Sequence, residues 1–598
     1  MLETSLKQSV PETVWSPFLE RQKAFEKRNS SQRQKATDEK FLQLLRSTAS
    51  GRPKGMPTTK EKALHNATSL AIPPQVELML TLGPKFALPY HNIEETPFYH
   101  LLADVETIIK SSDDVQVQDR TRCAVANKLQ NYVHRKRDST GMDPNSKLFE
   151  QAEKKTRRFF KEHLDVIAVN ADKGNKTVLM YRTEYSSKMA QLLNTDRTYK
   201  KVDKDPTLMF QTKNNNIVRR LLDLKLLDFR MAAKLRTYKA VCPKIYGQPK
   251  AHKPGLPLRP VVPCMTSPAY ELSKYIGSIL RKALTSKYNI KDSFEFCRFV
   301  NEIQIPQGHI LLSFDVVSLF TSIPKELVKN SVFRHWNSIK QHTPICLDIF
   351  WEITEFCIDC SFFSFEGVYY VQQFGTAMGN PLSPVIADYV MEDLLEEATS
   401  RTCGAIPYLK KFVDDLFLTL PPEKVQEVID VFNGISTDIQ FTAELEVERR
   451  LPFLDMMLVR QENQTIKTEW YSKSIASGRF LNYCSNHPMH QKISIAKNFA
   501  GRVTEFSTNL DQRTVKTIIT RHLKANDYPK GLINKVINHA NPLTQHNTAM
   551  DVSRNERESQ QNDTKFYSLT NIEGLTQQIS KTLTKEIPGI KIYKHISL

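Results

Sequence analysis

Two adjacent carboxylates, Asp414 and Asp415, stand between the apolar runs Tyr408-Leu409 and Leu416-Phe417-Leu418. Both flanks are short and rich in β-formers, so the stretch reads as a tight hairpin with the acids at its turn. Side-by-side carboxylates repel, and a fold that holds them together needs cations to neutralise them. Alone, the pair reads as a solvated turn, because Asp is a common turn residue. A divalent-metal site becomes the better reading when the rest of the chain supplies a further acid and a polyanionic partner.

The partner is legible in the charge. Among 598 residues, 83 Lys and Arg outnumber 65 Asp and Glu, for a net charge of +18. Such an excess favours a polyanion, nucleic acid before a membrane surface. The chain is long enough for about three or four domains, and 40% hydrophobic residues suffice for sizeable cores. Nine cysteines lie scattered without framework spacing, which predicts reduced thiols in an intracellular protein. No signal peptide opens the chain and no run approaches the length of a membrane span, so no membrane contact is expected.

Residues 1–70 are polar and basic and are expected to be largely disordered. Residues 71–163 read as helical and end in the basic-aromatic run Lys154 to Lys161, which suits either a phosphate backbone or a solvated helix face. Over 164–300, strands alternate with loops rich in proline and glycine, Pro243 to Gly255 above all. These extended loops present Lys250, Lys253 and Arg259. Arg259 is the best phosphate ligand of the three, since its planar fork binds oxygens bidentately.

Residues 301–465 have the richest pattern. The strand run Ile310 to Phe314 ends at Asp315, and a hairpin near Phe362 to Val371 turns at Glu366-Gly367. After the loop Gln373 to Asn380, Ser383-Pro384 opens a helix with Ile386, Tyr389, Val390 and Leu394 on one face. The acidic hairpin, a helix stopped by Gly434 and an alternating strand from Ile439 follow. This order is α+β, close to a split βαβ sheet with helices on one side, across which Asp315 can meet Asp414-Asp415. Residues 466–598 are helical again, with Asp511 as an N-cap and a polar insert at 541–564 expected to be disordered.

Three carboxylates so placed suit two Mg²⁺ ions, or Mn²⁺ in their stead, which keep waters and substrate phosphates in their other positions. Two such ions about 3.5–4 Å apart activate an attacking hydroxyl and stabilise a leaving oxygen. For nucleotidyl transfer these are a primer 3′-OH and pyrophosphate. The cations Arg259, Lys250 and Lys253 serve the triphosphate, and the Gly375 to Pro381 loop lets backbone approach a base pair or sugar. Two other clusters are weaker. Cys357-Ile358-Asp359-Cys360 lacks a second pair and reads as packed thiols, and Cys484, His487 and His490 lack a fourth zinc partner.

The stretch Ser313-Phe314-Asp315-Val316-Val317-Ser318-Leu319-Phe320, running on to Pro324, resembles the first catalytic motif of reverse transcriptases. Ala377-Met378-Gly379-Asn380-Pro381-Leu382-Ser383-Pro384 resembles the second and Phe412-Val413-Asp414-Asp415 the third, in the order and spacing of a palm domain. More narrowly, Ala171-Asp172-Lys173-Gly174-Asn175, Tyr246 to Pro254, Leu258-Arg259-Pro260 and Leu451-Pro452-Phe453-Leu454-Asp455 are similar to the Penelope-like retroelements, relatives of telomerase. Trp470-Tyr471-Ser472-Lys473 and Asn486-His487-Pro488 continue the likeness, which runs from about Leu78 to the C-terminus.

The resemblance implies a right-hand polymerase that copies an RNA template from a DNA primer with dNTPs: fingers over 164–300, palm over 301–465, helical thumb over 466–598, and an RNA-gripping helical region over 71–163. It implies that Asp315, Asp414 and Asp415 hold the catalytic metals, helped by the Val316 carbonyl. Phe320 then matches a steric gate against a ribose 2′-OH. Gln373, Gly375, Met378 and Gly379 fall beside the incoming nucleotide, and Arg259, Lys250 and Lys253 match basic finger residues. The nucleus is the expected place of action, with the cytoplasm as the alternative. The rival function is a nucleic-acid-binding protein descended from such an element without its catalysis. Most members carry a C-terminal GIY-YIG endonuclease, and Gly589-Ile590-Lys591-Ile592-Tyr593 is not that motif. The expectation is an element lacking its own nuclease, or a fragment.

Overall fold

The computed structural model describes Glu20 and residues 63–90, 93–138, 144–194, 197–402, 404–540 and 565–596. The disorder expected for 541–564 and for most of 1–70 falls outside them. At the centre is an antiparallel sheet of β1 (Ile310–Val316), β2 (Leu409–Phe412), β3 (Asp415–Leu420) and β4 (Phe441–Leu445), in the order β2-β3-β1-β4. Period-two alternation decides what each face carries. Leu312, Phe314 and Val316 of β1 join Leu416, Leu418 and Leu420 of β3 in the largest core, against the helices Tyr270–Ala283, Ser383–Arg401 and Val425–Asn433.

Leu311 and Phe417 point the other way, into a second core shared with the helix Ser293–Glu302 and a three-stranded sheet of Arg450–Phe453, Met456–Arg460 and Ile466–Trp470. The central sheet is therefore covered on both faces, where helices on one side were expected. Leu451, Phe453, Met456, Leu458 and Ile466 need an apolar surface of their own, and this face supplies it. Phe296 locks the layer, with its ring centroid 4.7 Å from Phe453 and 5.2 Å from Phe417. Its helix starts at Asp292, whose carboxylate accepts the Glu295 N–H at 2.9 Å.

The helix Ser383–Arg401 is buried on nearly all sides, not along one stripe: Val385, Ala387, Met391 and Leu395 join the four expected residues. Further helices pack on its outer side, and the Tyr389 hydroxyl donates to the Leu280 carbonyl at 2.9 Å. Lys411 on β2 is fully buried and donates to Asp388 of this helix at 2.6 Å. The pair ties the acidic hairpin to the helix. Asp388→Ala leaves a buried ammonium without its partner and should cost about 3 kcal/mol. Lys411→Met removes the charge with it and should cost less; urea unfolding of the two variants checks the order.

Residues 74–162 hold the helices Pro74–Leu82, Phe98–Ile109, Val115–Asp138 and Pro144–Glu162. The segment 565–596 folds as strand–helix–strand, with Lys565–Thr570 and Ile590–His595 paired in parallel around the helix Thr576–Glu586. Its Leu569, Leu575, Ile579 and Leu583 pack on Leu101, Val105, Ile108 and Val125, so the end of the chain completes the first helical layer. The helices Met489–Glu505, Gln512–Ala525 and Lys530–Ala540 share a separate core. Asp511 caps the second of them, accepting from the N–H groups of Arg513 and Thr514 at 2.8 and 2.9 Å. Among the described residues no helix is long and apolar enough to cross a membrane.

Candidate active site

Strand register builds the site. Asp415 at the start of β3 lies directly opposite Asp315 near the end of β1. Phe412 pairs with Asp415, which leaves Val413 and Asp414 as the two-residue turn of the hairpin. The Asp414 carbonyl accepts the Val316 N–H at 3.3 Å, fastening that turn to the end of β1. Val413 has φ +57, rare for a β-branched residue, and stores about 1–3 kcal/mol of strain that the paired strands hold in place. Asp315 and Asp415 share the face of Leu311 and Phe417 by alternation.

The carboxylates feel one another. Asp315 stays reachable by solvent, yet partial burial and then the neighbouring Asp414 raise its pKa. Asp415 is pushed up to about 6 by burial, then by Asp414 and Asp315. Lys173 and Lys473 oppose both shifts, and Lys253 opposes that of Asp315. Three separate segments thus bring cations to the acids. Lys173 and Lys473 were not among the expected site residues, although both lie in stretches that carry the resemblance, Ala171 to Asn175 and Trp470 to Lys473.

Among the described residues no three Asp, Glu, His or Cys side chains are gathered into a ready-made metal cage. The donors nonetheless fit a hard divalent cation. They are carboxylate oxygens that repel one another, and Mg²⁺ takes one or two protein carboxylates while keeping waters and phosphates elsewhere.

Around the acids, three of the expected segments meet. Half-buried Phe320 accepts at its carbonyl from the Thr376 N–H at 2.6 Å and hydroxyl at 3.1 Å. Gly375, at φ +73, lies so close to the helical turn after β1 that a Cβ would sit 2.5 Å from the Thr321 carbonyl oxygen. Gly379, at φ +124, lies against Val262, where a Cβ would come within 2.0 Å of the carbonyl oxygen. Next to it the Met378 carbonyl accepts the Val262 N–H at 3.0 Å. Only glycine suits these two backbone positions. Buried Gln372 donates to the Phe374 carbonyl at 2.9 Å, while the Gln373 side chain is exposed. Of the two, Gln373 is therefore the one that can reach a ligand.

Arg259 is less free than its sequence context implies. Its Nε lies 3.1 Å from Asp172, whose carboxylate is almost fully buried, so one edge of the fork is already held. Lys253 is exposed; Lys250 is partly covered, and burial followed by repulsion from Lys253 and Arg259 lowers its pKa. The turn after Asp172 docks on a distant segment: the Ser477 N–H donates to the Gly174 carbonyl at 2.8 Å and the Asn175 amide to the Arg479 carbonyl at 2.8 Å. The thiols of Cys357 and Cys360 are buried in the main core, and burial pushes both up to about 12. His487 pairs through Nδ1 with the Ser485 hydroxyl at 2.8 Å.

The profile of the animal helix-turn-helix domain matches residues 479–538, which take in the helices Met489–Glu505 and Gln512–Ala525 and most of Lys530–Ala540. No curated protein is significantly similar in sequence. Among solved structures, telomerase from Candida albicans in complex with a fragment of telomeric RNA is similar at a TM-score of 0.42 and 12% identity, over 75% of this chain and 76% of that one. Apo telomerase from Candida tropicalis is similar at 0.39 and 10% identity, over 79% and 80%. The RNA-dependent RNA polymerase of a human picobirnavirus is similar at 0.37 and 11% identity, over 68% and 92%.

Proposed function

We propose that this chain is an RNA-directed DNA polymerase of the Penelope-like retroelement type, extending a primer 3′-OH with dNTPs on an RNA template. The observation that carries the reading is the pairing of Asp415 with Asp315 across adjacent strands, with Asp414 in the turn between β2 and β3. In this reading Asp315, Asp414, Asp415 and the Val316 carbonyl would hold two Mg²⁺ ions, which when bound supply charge neutralisation for the attacking hydroxyl and the leaving pyrophosphate. The rest falls to the protein's own side chains. Lys173, Lys253 and Lys473 draw phosphates toward the acids. Asp172 orients Arg259 so that its remaining edge meets phosphate oxygens. The Gly375 to Gly379 backbone, with Met378 and Gln373, lines the place of the incoming nucleotide.

The palm would be 301–465, the fingers 164–300, and the thumb would begin at 466, with RNA held by the helices of 71–163 and the nucleus as the place of action. Phe320 fills the space of a ribose 2′-OH. Phe320→Ala should therefore lower the preference for dCTP over CTP by about tenfold to a hundredfold, read as the ratio of kcat/KM values. Primer extension on an RNA template with Mg²⁺ tests the assignment: the chain should add dNTPs and scarcely add NTPs. Inactivity with retained, salt-sensitive RNA binding would leave a nucleic-acid-binding protein instead.

A further inference from the structure

Far from the acids in sequence, the strand–helix–strand unit of 565–596 has one face of its two-stranded sheet that no other described residue covers. The parallel register sets Phe566 beside Lys591 and Ser568 beside Tyr593. Alternation turns Tyr567, Leu569 and Ile592 toward the N-terminal helices, and it turns these four residues outward. Phe566 and Tyr593 are 59% and 58% exposed. Their rings stack with centroids 5.9 Å apart and planes 22° from parallel, and the Lys591 ammonium lies 5.7 Å from the Phe566 ring. Lys565 and Lys594 alternate onto the other face, and neither strand contains an acid.

Two flat apolar rings held open to water are costly unless something covers them. An apolar protein surface would cover the rings but desolvate Lys591 beside them without a counter-charge. Bases with their phosphates satisfy both, since every base offers a π-face and every linkage an anion. We propose that this face is a stacking platform for unpaired bases of single-stranded RNA. Phe566 and Tyr593 take the bases, Lys591 the flanking phosphate, and the Ser568 hydroxyl beside Tyr593 meets a ribose 2′-OH.

The test is ultraviolet crosslinking of the full chain to an unstructured, uridine-rich RNA, with the attached peptides identified by mass spectrometry and affinity read by anisotropy. Wild type should crosslink within 565–570 or 590–595. Phe566→Ala/Tyr593→Ala should lose that crosslink and bind at least about tenfold more weakly, while Phe566→Tyr/Tyr593→Phe retains both. Lys591→Glu, which leaves the rings in place, should weaken the same crosslink, and the matching deoxyribonucleotide should compete less well than RNA. A wild-type chain with no crosslink in either strand, an alanine variant that crosslinks as wild type does, or equal competition by DNA would overturn the proposal.

Discussion

Asp414→Asn should slow single-turnover nucleotide addition by about 10²–10³-fold, and Asp415→Asn by less. The turn puts Asp414 at the hairpin tip, and its charge acts on both partners: it raises the pKa of Asp315 and of Asp415. Removing that charge takes away stabilisation from the reacting centre, where one lost electrostatic contact typically costs about this much. Asp415 is the crowded member. With its pKa near 6, its charge is forced on the folded protein against burial and two neighbouring acids. Asp415→Asn removes a ligand and a repulsion together, and the second effect offsets part of the first. The same shift predicts a stability signature. A carboxyl whose folded pKa is raised favours folding while protonated, and that contribution is lost as pH rises through about 6. Without divalent ions, Asp415→Asn should thus raise Tm at pH 8, raise it less at pH 5, and leave it nearly unchanged only near pH 3, where the carboxyl is protonated in both states. Equal loss of activity in the two Asn variants would refute the ranking.

Arg479→Met should destabilise the chain by about 3–5 kcal/mol, measured by denaturant unfolding. The guanidinium is buried, and burial lowers its pKa to about 10. It donates to the Thr81 carbonyl at 2.9 Å, with the Leu80 carbonyl at 3.4 Å and the Asn175 side-chain oxygen at 3.3 Å. Methionine fills a similar volume but leaves the Thr81 carbonyl without this donor and unties the Asn175 side chain, while the Leu80 carbonyl keeps the Thr177 hydroxyl at 2.8 Å. The consequence reaches the site, because Arg479 joins the end of the helix Pro74–Leu82 to the turn that carries Lys173. Loosening that turn removes one of the cations facing the acids, so KM for dNTPs should rise in the folded fraction. Arg479→Lys, which keeps a charge but not the planar fork, should recover only part of the stability.

The candidate site was legible because its signals are local. Alternation around Asp315 and the β-forming flanks of Asp414-Asp415 fix both strands, and their register then follows from which apolar residues must face the core. The turn at Glu366-Gly367, with φ +47 and +82, and the cap at Asp511 were legible for the same reason. What the sequence withheld depends on long-range docking. Nothing near Lys473 tells that it faces Asp315, since its position follows from the strand Ile466–Trp470 packing beneath the central sheet. Likewise 466–598 reads as helical, yet 565–596 holds two strands beside its helix, and nothing local tells that Leu575 and Ile579 meet Leu101 and Ile108. Arg259 looked unencumbered because Asp172, which holds it, is 87 positions earlier.

Single-nucleotide addition by wild type and Asp315→Ala, with RNA affinity measured on the same samples, decides whether the paired strands form a polymerase site. Asp315 belongs to a different segment from the Asp414-Asp415 hairpin, and strand pairing alone brings it to the site. Wild type should add one dNTP to a primer on an RNA template, while Asp315→Ala should bind the RNA equally well and add none. Addition at the wild-type rate by Asp315→Ala, or none by either chain, would contradict that assignment.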